Sequence, residues 1–466
     1  MDLLHSEGGV RLVRYGISAD QRYLAGEFLD AYSATVINGN MVAHIPAALG
    51  QFLTDRTARE TGPKPFIIDP LTHAFQHDPS KVRTKRMRDG KEVEETKLSI
   101  LKMSQAFGEP VQSRVGEQAV LPSDFADEAR SREFCERVLD FQLNTIERQA
   151  RQQKSWKYLQ YLGVQTMKPA VVIAPYFWMT AGTMDDWLPR NIWFVECARD
   201  FAETTPLCAQ VVVTRDVLTD DGERDRLAQA YGTSPCDGIL LWIDQFSEHE
   251  VSAKHLLGFG ELVRKLTREF AKPVVNLYGG YFSILLCRLE DLAFLQGVCH
   301  GLEYGEDRSV VPVGSGLPMA KFYLPAHHRR LRYPQALRAV RDIYGGFESA
   351  GAFLRNVCAC DECRSVVQSD PAQDFAAYGR SRPIRFRRRG GVVTLDYPTK
   401  ETKDHCLRHY LHVKRQEFED ARSLTTDQVA ANLEEHHSRA ARLIGKNEVH
   451  YLKAWAEALQ QLAGAA

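Results

Sequence analysis

Between residues 170 and 304 the chain repeats one pattern, a short unbroken apolar run followed by a helical stretch. The runs cover 170–175, 209–216, 238–244, 273–280 and 297–304, and helical sequence falls over 184–204, to about 231, 256–270 and 282–295. Apolar runs without polar alternation are strands covered on both faces, and their alternation with helices makes the sheet parallel. Earlier candidates are Phe66–Asp69 and residues 28–50, read as two short strands (34–39 and 41–46) or as a strand and a turn; counted as two strands they bring the total to about eight. That count favours a closed (β/α)8 barrel over an open doubly wound sheet. No G-x-G-x-x-G follows a strand, so dinucleotide binding has no fingerprint here. Residues 124–162 contain no Gly or Pro and read as a long helical segment.

In a parallel barrel the C-terminal strand ends converge on one mouth, where the active site lies. Here those ends carry Asp69, Asp216, Asp244, Gly279-Gly280, Glu303 and Glu306. One strand-end aspartate is often only a helix cap. A ring of polar ends on successive strands points to chemistry.

After the last strand the sequence changes character. Cys358, Cys360 and Cys363 form C-x-C-x-x-C, a spacing that lets thiolates wrap one Zn²⁺ in tetrahedral geometry. The plainer reading is three reduced cysteines beside a turn. A fourth ligand is available from His405, His409 and His412, which share one helical face at i, i+4, i+7. The other seven cysteines are scattered, as in a reduced cytosolic chain rather than a disulfide framework. No secretory signal opens the sequence and no apolar run approaches the ~20 residues of a membrane span, so a cytoplasmic location is expected.

Lys plus Arg (59) balances Asp plus Glu (60), so overall charge names no partner, and local runs have to be read instead. Three are basic: Lys81, Arg83, Lys85, Arg86 and Arg88; His327 with His328, Arg329, Arg330 and Arg332; and six arginines from Arg380 to Arg389. Each alone is a solvated face; together they suggest phosphate backbones. The arginine run reads as a hairpin turning at Gly390-Gly391, with helices over 401–419, 426–444 and 448–462 after it. The expected organisation is a barrel over 1–350, a zinc-binding subdomain with a basic hairpin insertion over 351–445, and a terminal helix over 446–466.

A parallel barrel followed by C-x-C-x-x-C and a helix reading Arg408-His409-Tyr410-Leu411-His412 resembles the tRNA-guanine transglycosylase superfamily. Phe66-Ile67-Ile68-Asp69 resembles its strand ending in a catalytic aspartate, and Gly279-Gly280 its glycine pair beside the base. The resemblance implies exchange of guanine for a 7-deazaguanine in tRNA or DNA and a structural zinc held by Cys358, Cys360, Cys363 and His409; whether the chain forms a homodimer is left open by the sequence. It implies two carboxylates: Glu306 attacking C1′ of the sugar to hold a covalent intermediate, and Asp69 moving protons on the purines, with the roles exchangeable. Asp216 and Asp244 would accept hydrogen bonds from the base, beside Gly279, Gly280 and Glu303, and Tyr278 or Trp242 would stack on it.

The chain departs from the family at Asp69-Pro70-Leu71-Thr72-His73-Ala74-Phe75-Gln76, in place of Asp-Ser-Gly-Gly-Phe-Gln. The nucleophile's position has no Asp, with Glu303, Glu306 and Asp307 nearby, and His436 or His437 could replace His409 as ligand. Two other classes stay open: a binding subunit that has lost catalysis, and a zinc-dependent barrel hydrolase. The hydrolase lacks an H-x-H strand motif.

Overall fold

The computed structural model describes residues 2–16, 20–59, 64–88, 91–302, 306–311, 319–388 and 391–464. Eight parallel strands make a nearly closed barrel in chain order: β1 (Val10–Tyr15), β2 (Ala34–Asn38), β3 (Phe66–Asp69), β4 (Val172–Ile173), β5 (Leu207–Thr214), β6 (Gly238–Asp244), β7 (Val274–Asn276) and β8 (Gly297–Gly301). Strand β1 pairs with both β2 and β8. Between β3 and β4 the ring is bridged by Ala170 N–H, which donates to the Phe66 carbonyl at 2.8 Å.

The expected count of eight holds, but its members differ. Residues 41–46 are not a strand; they belong to a short helix, Gly39–His44, and its exit. A short apolar run is ambiguous between the two states by pattern alone. The strand that takes its place is β1, which carries Arg11 and Arg14 in six residues, yet all six are buried. Both arginines find partners inside: Arg14 at the barrel axis and Arg11 over the ring of Phe418, 6.0 Å from its centroid.

Helices α1 (Pro46–Arg59), α2 (Glu128–Arg151), α3 (Met184–Arg199), α4 (Asp221–Thr233), α5 (Ala253–Arg268) and α6 (Tyr281–Arg288) lie outside the strands. The expected long helix over 124–162 is interrupted after Arg151 and resumes as Trp156–Tyr161. The eighth helical position is filled from much later in the chain by α7 (Lys400–Asp420). Its Phe418 carbonyl accepts from Arg288 Nε of α6 at 3.0 Å, and Arg408 pairs with Glu27, just after β1, at 3.0 Å. Helix α7 is therefore part of the barrel wall. Helices α8 (Thr426–Ile444) and α9 (Lys446–Gly464) pair with each other, and Trp455 Nε1 of α9 donates to the Glu248 carbonyl at 2.8 Å.

Side chains from every strand fill the barrel, among them Leu12, Val36, Ile67, Ile173, Val212, Leu240, Val275 and Cys299. Leu3 and Leu4 join this cluster, with Leu4 against Gly238 at the N-terminal start of β6. At the other end it is joined by Val310, 2% exposed. Residues 306–311 thus form a strap across the mouth. Among the described residues no helix is long and apolar enough to cross a membrane.

Candidate active site and metal cluster

Asp69 ends β3 and is fully buried. Its Oδ1 accepts from the Tyr176 hydroxyl at 2.5 Å, and its Oδ2 lies 3.5 Å from Arg14 Nη1, which also donates to Asn38 Oδ1 at 2.6 Å. Tyr176 Oη lies 3.1 Å from His73 Nδ1. A hydroxyl has one hydrogen. Tyr176 spends it on Asp69, so His73 must donate from Nδ1, and the three groups form a directed chain from His73 through Tyr176 to Asp69. Burial first, then the charges of His77, Arg308 and Arg14, push the His73 imidazole well below its ordinary range, so it is neutral.

The residues that departed from the family run build this chain. Thr72 bonds both backbone groups of Tyr176, accepting from its N–H at 2.9 Å and donating to its carbonyl. Gln76 does the same for Trp178, at 2.7 and 2.9 Å. The loop after β3 thereby holds the segment after β4. Trp242 packs edge-on to His73 at 5.1 Å and lies 4.7 Å from Tyr278, whose ring sits 4.3 Å from the Arg14 guanidinium carbon.

Glu306 belongs to a different network. Its Oε1 accepts from the Tyr410 hydroxyl at 3.0 Å and lies 3.8 Å from both Arg330 and Lys414. Burial raises the carboxyl, but Arg330 and Lys414 more than offset it and hold Glu306 below its ordinary range. Tyr278 stands between the two networks, against Arg14 on one side and lining a small cleft with Glu306, Asp307 and His249 on the other.

The remaining sequence candidates separate. Asp244 is 2% exposed and accepts from Val310 N–H at 2.8 Å, while Trp242 Nε1 donates to the Arg308 carbonyl at 3.0 Å, so both pin the strap. Asp216 lies on an exposed turn beyond β5. Glu303 lies outside the described residues. At Gly279-Gly280 the open backbone receives the Glu248 carboxylate, which accepts from Gly280 N–H at 2.8 Å, Phe282 N–H at 2.9 Å and Ser283 N–H at 3.2 Å. A Cβ on Gly280 would sit 2.6 Å from that carboxylate, so the glycine admits a side chain that caps α6.

The cysteines do converge. Cys358, Cys360, Cys363 and His409 bring their ligand atoms within 4.8 Å of one another and could hold a metal ion. His409 Nδ1 lies 3.8, 3.3 and 3.4 Å from the three sulfurs. Tetrahedral bonds of about 2.3 Å to sulfur and 2.0 Å to nitrogen separate such atoms by roughly 3.5 Å. His409 Nε2 donates to the Tyr323 carbonyl at 2.6 Å, which fixes the tautomer with Nδ1 free to ligate. Cys360 N–H and Cys363 N–H each point at a preceding sulfur at 3.4 Å, support suited to thiolates. The donor set fits a metal ion. His405 bonds Glu362 and His412 packs on Phe28, so neither enters the cluster. A groove lined by Cys358, Arg355, Arg415 and Leu433 borders the cluster, and Asp69 is not among its lining residues.

The basic runs differ in how far acids pair them. In the hairpin Arg83–Arg88 with Lys91–Thr96, Lys85 pairs with Glu92 and Arg86 with Glu95. His327 and Arg330 point inward, Arg330 donating to the Gly301 and Leu302 carbonyls. In the hairpin Ser381–Arg388 with Gly391–Pro398, Arg382 and Arg385 are exposed and form no ion pair among the described residues, and the facing strand carries one acid, Asp396. No protein-family model matches the chain, and no curated protein matches it.

Sequence reasoning missed Arg14 and Tyr176. Arg14 sat in a strand that its own charge disguised, and Tyr176 follows the run 170–175 by one residue, where a strand-end reading could have found it.

Proposed function

We propose that this chain is a base-exchange transglycosylase acting on a nucleic acid. The observation that carries the reading is the His73–Tyr176–Asp69 chain at the C-terminal mouth of a parallel barrel. A carboxylate at the end of such a chain can take and return a proton on a purine as it leaves and as its replacement enters. Glu306, kept ionised by Arg330 and Lys414, is in the form a nucleophile requires, and attacks C1′ once the strap that carries it has moved. The entering base is a 7-deazaguanine and the polymer tRNA or DNA, with the Ser381–Arg388 hairpin as the phosphate-facing surface. The metal is zinc, which three thiolates and an imidazole suit. Four protein ligands leave no open position, so its role is structural. Incorporation of labelled guanine into tRNA and duplex DNA tests the reading.

A second reading has its own support. Val310 fills the mouth and Glu306 is engaged by Tyr410, Arg330 and Lys414, as in a nucleic-acid-binding subunit without turnover. Retention of polymer with no label entering either one is the result that favours it.

A further inference from the structure

Arg14 carries a hydrogen-bonding edge that the protein leaves unused. Its Nη1 serves Asn38 and Asp69, whereas Nε and Nη2 are buried and have no partner among the described residues. Native interiors rarely tolerate one such donor, and here two lie side by side. The Tyr278 ring, 4.3 Å from the guanidinium carbon, packs against the group. Nε and Nη2 are the side-on fork of an arginine, two parallel N–H groups spaced for two adjacent acceptors.

The charge of the site selects among ligands with such a pair. Arg14 already has Asp69 as its counter-charge, so a carboxylate or phosphate on the fork would leave a net negative charge buried. A neutral ligand would not. The O6 and N7 atoms of a 6-oxopurine are two neighbouring acceptors on a flat neutral ring, the pair that arginine reads most often on bases. A 6-aminopurine offers a donor at the same place and meets a donor. The walls suit a flat ring too, because Trp242, His73, Tyr176 and Tyr278 all line this end of the barrel.

We propose that the Nε–Nη2 edge of Arg14 reads the O6/N7 edge of a 6-oxopurine bound at the barrel mouth beneath the 306–311 strap. The choice of a purine rests on the base-exchange reading, in which the two-acceptor match is to the departing guanine and the entering 7-deazaguanine meets the fork through O6 alone. Because Val310 now lies in the barrel's interior cluster, entry of the base requires the strap to lift.

The test is equilibrium binding of free bases to the full chain by calorimetry, with hypoxanthine, guanine, 7-deazaguanine and adenine, and with phosphate and acetate as oxyanion probes. Hypoxanthine and guanine are expected to bind alike, 7-deazaguanine more weakly because it keeps one acceptor, and adenine roughly tenfold or more weaker. Arg14→Lys, which has no fork, should flatten the series. If that variant does not fold, the series on the parent protein decides alone. Adenine binding within threefold of hypoxanthine, no saturable binding of any base, or phosphate or acetate binding in preference to the bases would overturn the proposal. Label incorporation without this ranking would sink the inference and leave the base-exchange reading standing; the ranking without incorporation would do the reverse.

Discussion

His409 of α7 donates its Nε2 hydrogen to the backbone carbonyl of Tyr323 at 2.6 Å, and that bond ties the Cys3His cluster to the two-stranded hairpin of Lys321–Leu324 with Arg329–Arg332. It fixes the imidazole so that Nδ1 faces the three sulfurs. The purified chain should therefore carry one metal ion, and His409→Ala should lose it. Metal content after dialysis, read by elemental analysis, checks this. Chelation should also lower the melting temperature, because α7 fills the eighth helical position and the cluster ties it to the Cys358–Cys363 loop.

The same helix carries a buried charge knot with a pH signature. Glu417 is hydrogen-bonded by Tyr323 and His328 and paired with Lys414 at 2.9 Å. Burial alone would raise its carboxyl, but Lys414 and His328 bring it down to about 2. A carboxyl depressed on folding contributes stability above its unfolded value, about 4.3, and loses it as pH falls toward the folded value. The parent should thus lose stability between about pH 5 and 2, and Glu417→Gln, less stable at neutral pH, should show a flatter profile in denaturant titrations over that window.

Gly280→Ala puts a methyl group 2.6 Å from a Glu248 oxygen that caps α6. Displacing that carboxylate strands three buried N–H groups, and the loss should be about 1–3 kcal/mol. Chemical denaturation would read it. A change within experimental error would mean that the capping carboxylate moves aside freely.

Replacing Arg382 and Arg385 with Glu should weaken binding to duplex nucleic acid and reduce the slope of log K against log salt by roughly one for each phosphate no longer neutralised. The same change at Lys85 and Arg86 should do much less, since Glu92 and Glu95 already neutralise them. Equal effects from the two hairpins would contradict the assignment of the polymer-facing surface.

What could be read from the sequence follows from what local pattern encodes. Strands β4 to β8 were legible because both their faces are buried, and the helix over Thr426–Ile444 was legible at both ends, where Thr425 caps it and Gly445 follows it. Strand β1 was not, because Arg11 and Arg14 look solvent-facing until their partners Phe418, Asn38 and Asp69 are assembled from elsewhere in the chain. The three cysteines of the cluster were legible from spacing as candidate ligands. The choice of His409 over His405 and His412 was settled by Glu362 and Phe28, which occupy the other two. Glu306 could be picked out as a carboxylate near the last strand, but its neighbours Arg330, Tyr410 and Lys414 come from a hairpin and a helix that only tertiary folding brings there.

The most direct test compares the parent chain with Asp69→Asn and Tyr176→Phe for incorporation of labelled guanine or a 7-deazaguanine into tRNA and into duplex DNA. The base-exchange account predicts label entering one polymer with the parent, loss of incorporation in Asp69→Asn, and a large reduction in Tyr176→Phe, with metal content unchanged in both. Incorporation that survives Asp69→Asn, or none with a parent that holds its metal and binds the polymer, would contradict it.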